Sequence, residues 1–160
     1  MIDISGHLRP YRNELGFEDN TTDFVINCCG YQHFLTKDFS RLRPNGRLDF
    51  QLIYIFNGCG YFKLNHQWIK REKGDIQIFL PGERQEYTYY AKDTPEVFWI
   101  HFTGKNCKKL LEEYDIHSCH IGENILFKTL FQEIILELQL KKYGFEAYIA
   151  SNFIKLLISF

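Results

Sequence analysis

The chain has no stretch approaching the roughly 18 consecutive apolar residues that a membrane-spanning helix needs. Its N-terminus, MIDISGHLRPYRN, has no charged head followed by an apolar run, so no signal peptide is expected. Nor is there a surplus of positive charge. Nineteen Lys and Arg meet 20 Asp and Glu, for a net charge of -1, and without clustered basic residues this stretch offers no phosphate-binding nucleic-acid surface. The five cysteines (28, 29, 59, 107 and 119) are odd in number and include no CxxC pair. The vicinal Cys28-Cys29 cannot form an ordinary disulfide without strain. These features predict a soluble protein of a reducing cytoplasm. GxSxG, HExxH and the P-loop are all missing. Histidine is scarce where a metal-binding barrel would need it: residues 46–64 contain none, and the strand-rich centre holds only His66 and His101. A tight metal site takes three or four N, O or S ligands, so neither a metal nor another cofactor is expected.

What the chain has in quantity is aromatic residues, 17% of the total, mostly Tyr and Phe. From Tyr54 to Gly104 they alternate with turn signals: Asn57-Gly58-Cys59-Gly60, Gly74-Asp75, Pro81-Gly82 and Lys92-Asp93-Thr94-Pro95. The β-branched and aromatic runs between these turns are too short for independent helices, and predict five or six short strands. Strands so evenly spaced close into a small antiparallel barrel or jelly roll able to enclose one ligand. Upstream, residues 1–20 are polar without periodicity and read as an arm, ordered only if something holds it down. Asp23–Phe34 has strand character, with Gly30 as a bulge or kink. Thr36–Gly46 reads as a loop, and Phe50–Phe56 as a strand buried on both faces.

Beyond Gly104 the period changes to that of helices. Thr103 can cap a helix presenting Cys107, Leu110, Leu111 and Tyr114. A longer helix, about Glu123 to Lys142, carries the stripe Phe127, Leu130, Phe131, Ile134, Ile135 and Leu138. Gly144 is placed as a left-handed stop, and a third helix runs from Phe145 to Phe160. The apolar ending LLISF predicts that more chain follows. The divisions expected are an arm (1–20), a barrel (21–104) and a helical segment (105–160).

Alternation within strands sorts side chains by face. Val97, Trp99 and His101 share one face of their strand; Phe98, Ile100 and Phe102 share the other and belong to core. Gln85, Tyr87 and Tyr89 fall together on a second strand. Opposed across a barrel, Trp99, His101, Tyr87 and Gln85 give an apolar platform with hydrogen-bonding tips, which suits a sugar or another polar ring compound. The competing reading makes Trp99 and Tyr87 ordinary core. Arg43, before Pro44-Asn45-Gly46, sits at the rim, where its guanidinium can hold a hydroxyl pair or a carboxylate. Glu83, Glu86, Asp93 and Glu96 lie at turns and read as solvated surface. No nucleophile-base pair stands out, so an enzyme is not expected.

Residues 74–85, GDIQIFLPGERQ, resemble the second conserved motif of the cupins, with Gln85 and Glu86 where metal-binding members carry a His. The wider set resembles the N-terminal regulatory domain of AraC-type transcription regulators: Arg43-Pro44-Asn45-Gly46, Leu52–Ile55, Gly58-Cys59-Gly60-Tyr61, Gly74-Asp75, Phe79–Glu83, Gln85-Glu86-Tyr87 and Trp99–Gly104, followed by the helices. The resemblance covers essentially the whole chain. It implies a cupin-like β-barrel followed by a helical dimerisation segment, with DNA bound only through a separate C-terminal domain not included here. It further implies a small-molecule effector, commonly a sugar, and an arm that can close over it. By position, Arg43, Tyr87 and Trp99 fall where family members contact sugar. The His that accompanies them in the arabinose-binding members maps to Val97, and His101 lies one inward step further along. A homodimer is expected through the second helix, by Phe127, Leu130, Phe131, Ile134 and Leu138. The alternative is a metal-dependent cupin enzyme or isomerase.

Overall fold

The computed structural model describes residues 1–160. Nine strands precede three helices: β1 (Ile2–His7), β2 (Val25–His33), β3 (Phe39–Arg43), β4 (Phe50–Asn57), β5 (Cys59–Leu64), β6 (Gln67–Glu72), β7 (Ile76–Phe79), β8 (Gln85–Tyr89), β9 (Glu96–Thr103), then α1 (Cys107–Glu113), α2 (Ile125–Leu140) and α3 (Phe145–Leu157). The strands form two antiparallel sheets, β1-β2-β9-β4-β7 and β3-β8-β5-β6. This is the expected mainly β, cupin-like jelly roll with C-terminal helices. No helix is long and apolar enough to cross a membrane.

The larger sheet is covered on both faces, because its central strands are apolar at odd and even positions alike. Phe50, Leu52 and Tyr54 of β4, with Phe98, Ile100 and Phe102 of β9, join the helices in one core. Ile53, Ile55 and Val97 point the other way, into a second core shared with the smaller sheet. Along that inner face the register stacks three rows: Ile55 beside Val97, Ile53 beside Trp99, and Gln51 beside His101. Polarity therefore rises from floor to mouth. The floor is filled by rings, with Phe34 stacked 4.9 Å from Tyr89 and Phe62 lying 5.5 Å from Tyr87.

Several expectations are corrected. The segment read as a loop at 36–46 contains β3, paired along its length with β8. The arm, expected to be ordered only if held down, is held: β1 extends the larger sheet through β2, and α2 lies against it, with Gln139 Nε2 donating to the Ser5 carbonyl and Lys141 Nζ to that of Leu8. Gly30 pairs flat with Trp99, and the ladder's irregularity falls between Ile26 and Cys28 instead. The first helix starts after Asn106, whereas Thr103 ends β9. Lys141 takes the left-handed cap of α2, and Gly144 opens α3.

Phe127, Leu130, Phe131, Ile134 and Leu138, expected at a subunit interface, are no more than 4% exposed within the single chain. They pack on the sheet's outer face, where Phe131 stacks on Phe98 at 5.0 Å. The apolar stripe is as wide as it is because β4 and β9 beneath it present Phe50, Leu52, Tyr54, Phe98, Ile100 and Phe102 on that side. The exposed side of the helical layer carries Leu136, Leu140, Tyr143 and Tyr148.

Candidate ligand-binding site

At the mouth of the barrel lies a cavity of about 260 Å³, near the small end of ligand pockets. Its walls come from the inner faces of β2, β4 and β9, from β3 and Tyr87 of the smaller sheet, and from the arm through Arg9, Tyr11, Arg12 and Phe17. Of the residues expected there, Arg43, Tyr87, Trp99 and His101 all line it. Gln85 does not. It is fully buried beside Arg43, and its Oε1 accepts from Arg43 Nη1 at 2.7 Å. Gln85 thus orients a guanidinium from behind the wall. Trp99 can lie flat in the wall because residue 30 is Gly: a Cβ there would overlap the indole.

The centre of the mouth is Asp49, which is completely buried. Its carboxylate accepts from Arg47 Nε at 2.7 Å and Nη2 at 3.2 Å, from Asn27 Nδ2 at 3.0 Å and from the Phe17 amide at 3.4 Å. Burial alone would raise its pKa, but hydrogen bonds from His101 and Arg47 outweigh that and hold the carboxyl far below its usual range. His101 is moved the opposite way for a cation: burial lowers its pKa to about 4, against the smaller pull of Asp49. The imidazole is therefore neutral near pH 7. Its contact to Asp49, 3.4 Å from Nδ1, is a hydrogen bond rather than an ion pair, and it leaves Nε2 as an acceptor.

The same cluster ties down the arm. Arg47 Nη1 donates to the Glu14 carbonyl at 2.8 Å, the Leu48 amide to the Leu15 carbonyl at 2.7 Å, and Asn27 Nδ2 to the Phe17 carbonyl at 2.9 Å. Gly16, at φ +81, passes so close that a Cβ would sit 2.5 Å from the Asp49 oxygens. Arm and barrel thus share one hydrogen-bonded network, buried at Asn27, Arg47, Asp49 and His101 and part-buried where the arm joins it.

Cys28 lies across the ladder from His101 but makes no hydrogen bond to it, and burial pushes its thiol up to about 12. No three His, Cys, Asp or Glu side chains are placed to hold a metal ion, and the Asp49 carboxylate is saturated by its own neighbours. The donor set that a metal-dependent cupin requires does not fit this mouth.

Sequence reasoning missed Arg9, Asn27, Arg41, Arg47, Asp49 and Gln51. Arg41 was findable: once 39–43 is a strand, Phe39, Arg41 and Arg43 share a face. Nothing local marks Asp49.

A two-sheet barrel with its floor filled by rings and a polar mouth under an N-terminal arm defines a cupin-like binding domain. Residues 27–157 match the AraC-like ligand binding domain, and the chain belongs to that family. The whole arm, β1 included, lies outside the match. No curated protein matches the chain. Solved structures similar to it include the cupin domain of Cnp3 from Schizosaccharomyces pombe (12% identity, 64% of this chain and 70% of that one, TM-score 0.42). Another is the plu4264 protein of Photorhabdus luminescens (15%, 69% and 83%, 0.40). The EutQ protein of Clostridium difficile is also similar (10%, 49% and 56%, 0.37), and the match spans little more than half of its length.

Proposed function

We propose that this chain is the effector-sensing and pairing domain of an AraC-type transcription regulator, binding a sugar or related carbohydrate in the barrel mouth. One observation carries the reading: the pocket has a wall made of the arm, so a ligand touching both walls favours the state in which the arm is closed. A ligand shifts such a balance only by its differential affinity for the two states, and contacts from Arg9 or Arg12 exist only when the arm is down. The Leu8 carbonyl, just past β1, accepts from Lys141 Nζ at the end of α2, so movement of the arm beyond His7 would be felt by the helical layer. Two copies would pair through the outer side of that layer, where Leu136, Leu140 and Tyr143 are exposed. Pairing would set how attached DNA-binding domains are presented.

The test is a thermal-shift screen of the 160-residue chain against sugars, uronic acids and small aromatics, repeated with Arg43→Ala and Trp99→Ala. A true effector stabilises by about 2.7 kcal/mol at a hundredfold excess over its Kd. Both variants should lose most of that shift. A shift kept intact in both would remove the pocket assignment.

A further inference from the structure

Five arginines (9, 12, 41, 43 and 47) line the mouth against three carboxylates, Asp3, Glu14 and Asp49, in a chain whose net charge is -1. Asp49 is bound to Arg47, which leaves four arginines facing two carboxylates. None of the other four guanidiniums has a carboxylate within ion-pairing distance, the one remaining Arg pair being Arg84 with Glu86 outside the pocket. Two of the four are held in place by aromatic faces. Arg9 lies over Phe17 at 4.6 Å and Arg41 over Phe39 at 5.1 Å. Stacking fixes a guanidinium plane while leaving its N–H edge free, and in both residues Nε is buried without a partner. A buried donor on a cation without an acceptor costs free energy that an oxyanion would recover.

The same pocket also presents unmatched acceptors. Asn27 and Gln51 are 4% and 3% exposed, and Asn27 Oδ1 and Gln51 Oε1 lack any donor. The Asn27 amide cannot be turned round to cure this, since its Nδ2 already serves two acceptors, Phe17 O and Asp49 Oδ2. A bare anion satisfies the arginines and leaves these oxygens unmet. A neutral sugar does the reverse. Building on the effector-sensing reading above, we infer that the effector is an acidic sugar derivative: a hydroxylated ring or chain bearing one carboxylate or phosphate group. Its anionic group bridges Arg9 of the arm and Arg41 of β3, and its hydroxyls donate to Asn27 and Gln51. The anion is then what bonds the arm to the smaller sheet.

Calorimetry and thermal shift on the intact 160-residue chain should compare galactose, galacturonate and galactose 6-phosphate, the matching glucose series, and acetate and inorganic phosphate alone. At least one acid is expected to bind about tenfold or more tightly than its neutral parent, with carboxylate and phosphate arms identifying the group. Arg9→Gln and Arg41→Gln should each lose about tenfold for that acid, whereas Arg84→Gln should not. If a variant fails to fold, the comparison of acid with neutral parent in the unmodified chain decides alone. A neutral sugar binding as tightly as its acid, in an Arg43- and Trp99-dependent manner, overturns this inference and spares the effector reading. Acetate or phosphate stabilising as much as the sugar acid overturns it as well. No binding by any sugar in either form overturns both.

Discussion

At the scale of single residues, His101 has the clearest signature. An ordinary imidazole titrates near 6.5, and burial brings this one to about 4. Between those values the unfolded chain holds a proton that the folded chain does not, so stability rises with pH across the window and is lost on acidification. The loss approaches about 3 kcal/mol at the lower end. Asp49 contributes separately: its depressed pKa gives stability that is complete above about 3.9 and fades only below it. Urea unfolding at pH 7 and at pH 4.5 should show the first loss, and His101→Gln should flatten that difference. An unchanged pH dependence in the variant would mean that another group carries it. Cys28 contributes nothing in this range, since its thiol sits near 12.

Among the elements, the arm depends most on one buried contact. Asp49→Asn leaves the Arg47 guanidinium buried and unpaired, which costs about 3–5 kcal/mol, and it weakens the acceptor that receives the Phe17 amide. Hydrogen exchange should then rise in residues 13–19 before it rises in β4 or β9. Equal protection there would show that the arm is held by β1 alone. The sequence revealed this arm as polar and aperiodic but not what fastens it. The arm offers its own backbone carbonyls and the Phe17 amide, and its partners are the Asn27 side chain and, more than thirty residues away, Arg47, the Leu48 amide and Asp49. Pairing at that range leaves no mark in local composition. The alternation in β8 and β9, by contrast, was legible because the sheets bury one class of side chain on each face. β3 was not, because its apolar residues are few and Arg41 and Arg43 occupy its inward positions. In that strand functional polarity masked the period that would have announced it.

For the whole molecule, the decisive division is between apolar surface used inside one chain and apolar surface left outside. Phe131→Ala should cost about 3–5 kcal/mol in unfolding experiments at any protein concentration, because Phe131 packs within its own chain. Leu136→Asp combined with Leu140→Asp should leave the unfolding free energy of a single chain nearly unchanged. If the proposed pairing uses that face, sedimentation will show a dimer for the parent and a monomer for the double variant. A dimer that survives the change would move the interface elsewhere, with β6 and its exposed Trp68 the next surface to consider. Helix periodicity alone identified which residues of α2 are apolar. Which side of the helix meets the barrel emerged only with the sheet in place.

The position of β1 has a final consequence. Its six residues occupy the hydrogen-bonding flank of β2, so complete departure of the arm would leave β2 as a bare strand edge, open to pairing with any extended segment nearby. A switch that worked by shedding the arm outright would invite strand exchange between neighbouring copies in a crowded cell. Motion confined to the stretch after His7 avoids this, hinging on a strand that stays in register while the crossing above the barrel lifts and settles.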